Sequence, residues 1–207
     1  MKRYLLLCSL FIVVVGFTNT NGVFPKKQDI TEFNCDSIYK GKGYSIQLVS
    51  KLDTVYDETQ YNAKFILYKQ TKTGKKILVS DSIYNRVPEI RFEDFNNDGV
   101  KDILVQHVSD VRSNYTYYLY LVDLAHDRLT KIKGFEEIKK PHYLPKYNLI
   151  DNYVISGQIW TSFYKIQGNR IIDYHIVIYD NQTEDGSYDR AYEKALKKIT
   201  QKPKSKR

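Results

Sequence analysis

The stretch Glu89-Ile-Arg-Phe-Glu-Asp94-Phe-Asn-Asn-Asp98-Gly-Val-Lys-Asp102-Ile-Leu-Val-Gln-His107 places an acidic turn between two strand-like segments. Apolar residues alternate with polar ones in the first segment, and β-branched residues are frequent in the second, which predicts strands at Glu89–Phe95 and Lys101–Val108. The Asn-Asp-Gly sequence at 97–99 is a turn signal. The stretch therefore predicts an antiparallel β-hairpin with an acidic loop at its tip.

Residues 94–102 have the spacing D-x-N-x-D-G-x-x-D, which suits a hard cation. Ca²⁺ takes about six to eight oxygen ligands, and a tight loop can supply them from alternate positions. Gly99 permits the sharp turn that such a loop needs. The candidate ligands are the side chains of Asp94, Asn96, Asp98 and Asp102 and the main-chain carbonyl of Val100.

We expect the cation to be calcium, with a structural role in pinning the hairpin. Mg²⁺ is disfavoured because it keeps several waters and avoids all-protein cages. A helical EF-hand would place a bidentate Glu at the twelfth position, but that position is Val105 and both flanks resemble strands. The alternative is an acidic turn that binds no ion.

The rest of the chain predicts more short strands separated by polar turns. Tyr115–Val122 is apolar on both faces, as is typical of a central strand. We predict a mainly β, antiparallel, β-sandwich-like domain; a small β-propeller is the alternative, because Asp-Ser-Ile-Tyr occurs at 36–39 and again at 81–84. The other predicted strands are Tyr44–Ser50, Ala63–Gln70, Lys76–Ser80, Tyr115–Leu124, Leu129–Lys133, Tyr153–Ile159, Thr161–Gln167 and Arg170–Tyr179.

A short C-terminal helix is predicted over residues 188–199, where apolar residues follow a helical stripe. A final strand is the alternative. Just before it, residues 181–189 weakly repeat the spacing of the acidic loop, but Asn and Thr stand at the first and third positions. We interpret this segment as a turn in which Asp185 or Ser187 caps the helix; a second ion site is the alternative.

The basic net charge of +8 is concentrated at the chain ends. Lys2 and Arg3 begin the chain, and residues 194–207 hold seven basic and no acidic side chains, so residues 4–193 hold the remaining 23 basic residues and all 24 acidic residues. A nucleic-acid surface needs basic residues spread over a folded face, which disfavours that function. The basic tail at 194–207 is interpreted as a solvated end, with an acidic partner, anionic glycan or membrane surface as the alternative.

The N-terminus predicts export. Lys2 and Arg3 precede an apolar run at 4–17 and a polar segment, as in a signal peptide, and the run is shorter than the ~20 residues of a membrane-spanning helix. We therefore predict a signal peptide at 1–22, a single β domain at 23–193 and no transmembrane segment in the mature chain. Cys35 is then the only cysteine left, and we expect an inert, buried thiol.

No common catalytic motif is present in the sequence. Zinc-protease, Cys-x-x-Cys, nucleophile-elbow, phosphate-loop and dinucleotide fingerprints are all missing. Glu136 and Glu137 are adjacent, so in a strand they would point to opposite faces and make a poor acid–base pair. The sequence therefore favours a protein that is not an enzyme.

The sequence resembles a family of exported bacterial β-proteins with a single calcium loop. The residues that carry this resemblance are Phe92–Val105, Tyr117–Asp123 and the segment Trp160–Ile171, which is similar to a closing hairpin with a Gly-Asn turn. The family includes periplasmic inhibitors of invertebrate-type lysozyme and immunity proteins against peptidoglycan hydrolases. The resemblance implies calcium bound at Asp94, Asn96, Asp98, Val100 and Asp102.

Inhibitors of this family insert a Ser-Gly loop into the hydrolase cleft, and Ser156-Gly157 is the one Ser-Gly pair here. The resemblance thus implies a partner contact at Ser156 and Gly157, while an ordinary bulge or turn is the alternative. We expect a periplasmic, non-catalytic protein that binds another protein, such as a peptidoglycan hydrolase. The alternatives are a secreted or cell-surface adhesion module that binds glycan through Tyr-rich faces, and a hydrolase with an unrecognised site.

Overall fold

The computed structural model describes residues 28–51 and 60–201. These residues are mainly β, with three antiparallel sheets of four strands and one α-helix, so the predicted fold class is confirmed. The predicted signal peptide at 1–22 and the last six residues lie outside the described residues. Within the described ranges, no helix combines the length and the apolar character that a bilayer crossing requires.

Sheet A is a meander of four strands in the order β1-β2-β3-β4. Its strands are β1 (Gln28–Asn34), β2 (Tyr44–Lys51), β3 (Ala63–Thr71) and β4 (Gly74–Ile83). The sequence predicted the last three, although β4 is longer than expected. It missed β1, whose polar residues are mostly exposed at the edge of the sheet and therefore give no strong apolar signal.

Sheet B has the order β5-β6-β7-β8 and contains the predicted hairpin. Its strands are β5 (Ile90–Glu93), β6 (Asp102–Ser109), β7 (Tyr115–Asp123) and β8 (Arg128–Ile132). Strand β5 pairs antiparallel with β6, with Glu93 opposite Asp102. The two strands thus flank the acidic loop as predicted.

Sheet C has the order β12-β11-β10-β9 and is covered by the helix. Its strands are β9 (Pro141–Leu144), β10 (Leu149–Asn152), β11 (Ile159–Gln167) and β12 (Arg170–Asp180), and α1 spans Ser187–Thr200. The helix is confirmed. The predicted strand at Tyr153–Ile159 is wrong: residues 153–158 form a loop with a single bridge from Val154 to Trp160, because β10 ends at Asn152 and the Ser-Gly pair interrupts the pairing.

The sheets stack with sheet B in the middle. On β7, Tyr118, Tyr120 and Val122 pack into a core shared with sheet A, while Tyr117 and Leu119 pack into a core shared with sheet C. A third core joins the outer face of sheet C to α1. This alternation follows from the two-residue period of a strand, and it explains why β7 is apolar on both faces.

Each sheet has the four-strand meander of a propeller blade, but the buried clusters of the described residues do not close a ring. They join sheet A to B and sheet B to C, and none joins A to C. The two Asp-Ser-Ile-Tyr copies also differ in position, since 36–39 lies in the turn before β2 and 81–84 covers the end of β4. The layers therefore form a stacked, sandwich-like arrangement.

Cys35 lies in the core between sheets A and B and is completely buried. Burial raises the pKa of its thiol to about 11, with a smaller contribution from Asp36. At neutral pH the thiol is therefore protonated, as expected for an inert cysteine.

Candidate functional site

The acidic loop, residues 94–101, connects β5 to β6 at one end of sheet B. Asn97 and Gly99 adopt left-handed backbone conformations, with φ of 59° and 83°. Glycine is favoured at the second of these positions because a side chain there would be strained. The two residues reverse the chain within a few positions and place the polar side chains of the loop close together.

Asp94 organises the first half of the loop through its carboxylate. Its Oδ1 accepts hydrogen bonds from the backbone amides of Asn97 at 2.6 Å and Asn96 at 3.2 Å, and its Oδ2 accepts one from Gly99 at 2.9 Å. Three amides that point at one carboxylate fix the turn around it. This is the role expected of the first residue of a cation-binding loop.

Asn96 and Asp98 continue the same pattern. The amide of Asp98 donates to Oδ1 of Asn96 at 3.0 Å, and the amide of Val100 donates to Oδ1 of Asp98 at 2.8 Å. Nδ2 of Asn96 also donates to Oδ2 of Asp98 at 2.8 Å. The candidate ligands at the first, third and fifth positions are therefore linked by direct hydrogen bonds or through the loop backbone.

Asp102 has a different environment, because its side chain is completely buried. Its Oδ2 accepts the amide of Phe95 and its Oδ1 accepts the amide of Val122, both at 2.9 Å. Burial raises the pKa of Asp102 to about 7; the two amides oppose this shift, and the carboxylates of Asp98 and Asp94 add to it. The structure thus gives Asp102 a role that spacing did not predict: it ties the loop to β7.

The donor chemistry of the loop fits a hard cation, because its candidate ligands are all oxygens. A cleft of about 510 Å³ borders Asn96, Asp98 and Val100, so an ion can approach from solvent. Among residues 28–51 and 60–201, however, no three or more His, Cys, Asp and Glu side chains are arranged as a metal site. Calcium at Asp94, Asn96, Asp98, Val100 and Asp102 therefore stays a prediction.

The weaker repeat at 181–189 forms the turn before α1. Oδ1 of Asp185 accepts the amide of Ser187, the first helical residue, at 2.8 Å, and also the hydroxyl of Thr183 at 3.0 Å. The prediction that Asp185 or Ser187 is the cap is wrong, because the N-cap residue is Gly186, with φ of 70°. Asp185, one residue before the N-cap, thus accepts a hydrogen bond from the first backbone amide of the helix.

Ser156 and Gly157 lie in the loop 153–158, between β10 and β11, and not near the acidic loop. This loop is held against the β6–β7 connection, because Nη1 of Arg112 donates to the carbonyl of Ser156 at 2.5 Å. Asn114 donates to the carbonyl of Ile155 at 2.7 Å and accepts its amide at 3.1 Å. We call residues 110–114 and 153–158 together the loop pair.

Asp110 stabilises the first half of the loop pair. Its carboxylate accepts the side-chain amide of Asn114 at 2.8 Å, the backbone amide of Arg112 at 2.9 Å and the ammonium of Lys139 at 3.1 Å. The hydrogen bond from the Asn114 side chain is the main reason that the pKa of Asp110 lies well below its usual range. The sequence analysis did not identify residues 110–114 as part of a site. The one signal in this segment was its Asp, Ser and Asn residues, which are typical of turns.

The acidic loop and the loop pair lie at opposite ends of β6. The acidic loop precedes Asp102 and the loop pair follows Ser109, the first and last of the eight residues of that strand. Eight strand residues span roughly 25 Å. The two predicted sites are therefore separate features of one rigid strand.

The chain matches no protein-family model, no curated protein and no solved structure. The resemblance to the calcium-loop family thus stays a prediction from the sequence.

We predict that Asp102→Asn destabilises the protein even without calcium. The substitution replaces one acceptor oxygen by an NH₂ group that faces a buried amide N–H, and such a loss costs about 1–3 kcal/mol. Urea unfolding in the presence of a chelator measures the change. Asp98→Asn is the matched control, because Asp98 is exposed and we expect a change below about 0.5 kcal/mol. Equal stability of the two variants would contradict the anchoring role.

We also predict a pH dependence confined to the loop pair. Because the pKa of Asp110 is lowered in the folded state, its interactions stabilise the loop pair above about pH 4 and are lost as the pH falls through the lowered value. The side-chain amide resonances of Asn114 should titrate with a midpoint below that of an unfolded Asp. In Asp110→Asn this titration should disappear. A midpoint at or above the ordinary Asp value would show that the prediction is wrong.

Proposed function

We propose that this chain is an exported, non-catalytic protein that binds a peptidoglycan hydrolase through the loop pair, as an inhibitor or immunity protein. The proposal places the mature chain in the periplasm, with secretion or the cell surface as alternatives. It further proposes that Ca²⁺ binds the acidic loop. The observation that carries the proposal is the loop pair, which presents apolar and basic side chains on a hydrogen-bonded frame.

The loop pair has the composition of a protein-binding surface. Val111 is fully exposed, and Tyr153 and Ile155 are also exposed. Exposed apolar side chains that cluster on one surface are typical of interaction sites. Asn114, which is buried, holds the two loops together through its bonds to Ile155, so little ordering entropy remains to be lost on binding.

The charge of the loop pair suits a hydrolase cleft. Glycoside hydrolases generally use a pair of Asp or Glu residues beside the bond that they cleave. Arg112 is exposed and uses one of its donors on Ser156, which leaves the rest of its guanidinium fork for a carboxylate. Lys139 forms an ion pair with Asp110 that balances its charge, so Arg112 is the cation that this surface offers to a partner.

The acidic loop supports this function from a distance. It lies at the other end of β6, so a calcium ion there would stabilise the fold without contacting the partner. Free calcium at ~100 times its dissociation constant would add about 2.7 kcal/mol to the stability. Because Asp102 accepts the backbone amide of Val122, stabilising the loop would also stabilise its attachment to β7.

A glycan-binding adhesion module is the second candidate, and one feature favours it. Trp160 lies directly opposite Tyr179 on β11 and β12, so the two rings share a sheet face. Tyr179 and its neighbour Val177 on that face are about half exposed. Aromatic rings of this kind can stack on the apolar face of a sugar.

Calorimetric titration tests the calcium proposal. We expect one ion per chain and a higher melting temperature with calcium than with a chelator, and we expect Asp98→Asn to lose both responses. Asp173→Asn is a matched control, since Asp173 is an exposed carboxylate on β12, away from the loop. No heat of binding in the wild-type chain would refute the calcium site while leaving the protein-binding proposal open.

Inhibition of a purified invertebrate-type lysozyme tests the partner. The mature chain should slow the clearing of a cell-wall suspension in a dose-dependent way. Gly157→Arg should weaken inhibition by about 30-fold or more, the size of a binding hot spot. The fold should tolerate this change, because a Cβ at Gly157 meets no atom within 4 Å.

Ser80→Arg is the matched control, since it adds the same side chain at an exposed position of β4 and should leave inhibition unchanged. Inhibition that is absent, or equal in Gly157→Arg and the wild type, would overturn the hydrolase proposal. Retention on glycan beads that is lost in Tyr179→Ala would instead support the adhesion module.

A further inference from the structure

Helix α1 carries a basic stripe on the side opposite its buried face. Ala195 and Leu196 are buried against sheet C, with Tyr188, Tyr192 and Ile199 packed beside them. Arg190, Lys194, Lys197 and Lys198 recur at intervals of three and four residues, so they line up on one side of the helix. At 100° per residue, the centre of this stripe lies about 160° from the centre of the apolar one.

The lysines of the stripe are exposed and, in the part of the chain that the structure describes, form no ion pair. Lys194, Lys197 and Lys198 are all exposed. Across residues 28–51 and 60–201, no Asp or Glu forms an ion pair with any of these three lysines. The acidic residues of the helix, Asp189 and Glu193, lie on one flank of the stripe rather than within it.

The charge continues beyond the helix in the sequence. Residues 202–207 contain four more basic residues and no acidic one. The stripe and this segment together contain eight basic residues, from Arg190 to Arg207. The excess of basic residues is therefore concentrated toward the C-terminal end of the sequence, since residues 4–193 contain almost equal numbers of basic and acidic residues.

We propose that the basic stripe of α1 docks the protein on a membrane surface that contains anionic phospholipid. Clusters of about four to eight Lys and Arg residues on an amphipathic helix are typical of binding to anionic lipid headgroups. The apolar face of α1 is occupied by sheet C, so the helix adds no side chains to the acyl region. The contact is electrostatic and reversible, and it weakens as salt screens the charges.

The stripe is also placed to complement the helix dipole. Lys197 and Lys198 lie in the last turn, where the C-terminal end of a helix is partially negative and favours cations. The helix dipole therefore favours positive charge at these two positions. This proposal is independent of the loop pair and of calcium.

Sedimentation with lipid vesicles tests the proposal. The full mature chain should bind vesicles of phosphatidylcholine with 30 % phosphatidylglycerol, and not vesicles of phosphatidylcholine alone. Each lysine near an anionic surface contributes about a fivefold gain in partitioning. The triple variant Lys194→Gln, Lys197→Gln and Lys198→Gln should therefore bind roughly 100-fold more weakly, and 0.5 M NaCl should release the wild type.

A second triple variant controls for net charge. Lys64→Gln, Lys72→Gln and Lys76→Gln remove the same charge from exposed positions of sheet A and its β3–β4 turn, and this protein should bind nearly as well as the wild type. Circular dichroism shows whether each variant is folded. Equal losses in both triple variants would mean that only net charge matters, and equal binding to both kinds of vesicle would overturn the proposal as well.

Discussion

The structure depends on burying both faces of β7. Its side chains alternate between two cores, one shared with sheet A and one shared with sheet C, and five consecutive residues, 116–120, are buried. A strand with no solvent-facing side cannot carry polar functional groups along its length, because unpaired buried polar groups are costly. Polar functional groups on β7 are therefore restricted to the ends of the strand, and the acidic loop and the loop pair lie at the two ends of its neighbour β6.

Asp102 is the exception that links these ends to the core. It is a buried carboxylate at the first position of β6, and it is tolerated because backbone amides from Phe95 and Val122 reach its two oxygens. These bonds place the loop in a fixed position relative to β7. The same burial disfavours the ionised form, so a cation near Asp94 and Asp98 would relieve the cost of keeping three carboxylates close together.

The sequence predicted strands best where two-residue alternation and a turn signal coincide, as in the β5–β6 and β11–β12 hairpins. It missed β9 and β10, because each has four residues and their pattern is too short to show a period. The error at 153–159 arose from apolar residues that alternate in a loop: Val154 is buried and Ile155 is exposed, but the only strand-like pairing within residues 153–158 is the single bridge from Val154 to Trp160. In the acidic loop, spacing predicted candidate ligands, and calcium there stays a prediction. The bond from Val122 to Asp102 and the contact between Arg112 and Ser156 join residues that are 20 and 44 positions apart, so local pattern could not predict them.

The position of α1 relates the two proposed surfaces to each other. The helix begins beside the loop pair, since the ring of Tyr188 lies 6.2 Å from that of Tyr153. Its 14 residues span about 20 Å, so Lys197 and Lys198 lie at the end of the helix that is remote from Tyr153. A molecule held by these lysines on a lipid surface would therefore have its loop pair displaced along the helix axis from the anchoring charges. The attachment and the partner contact use different parts of the chain, so neither needs to be released for the other to form.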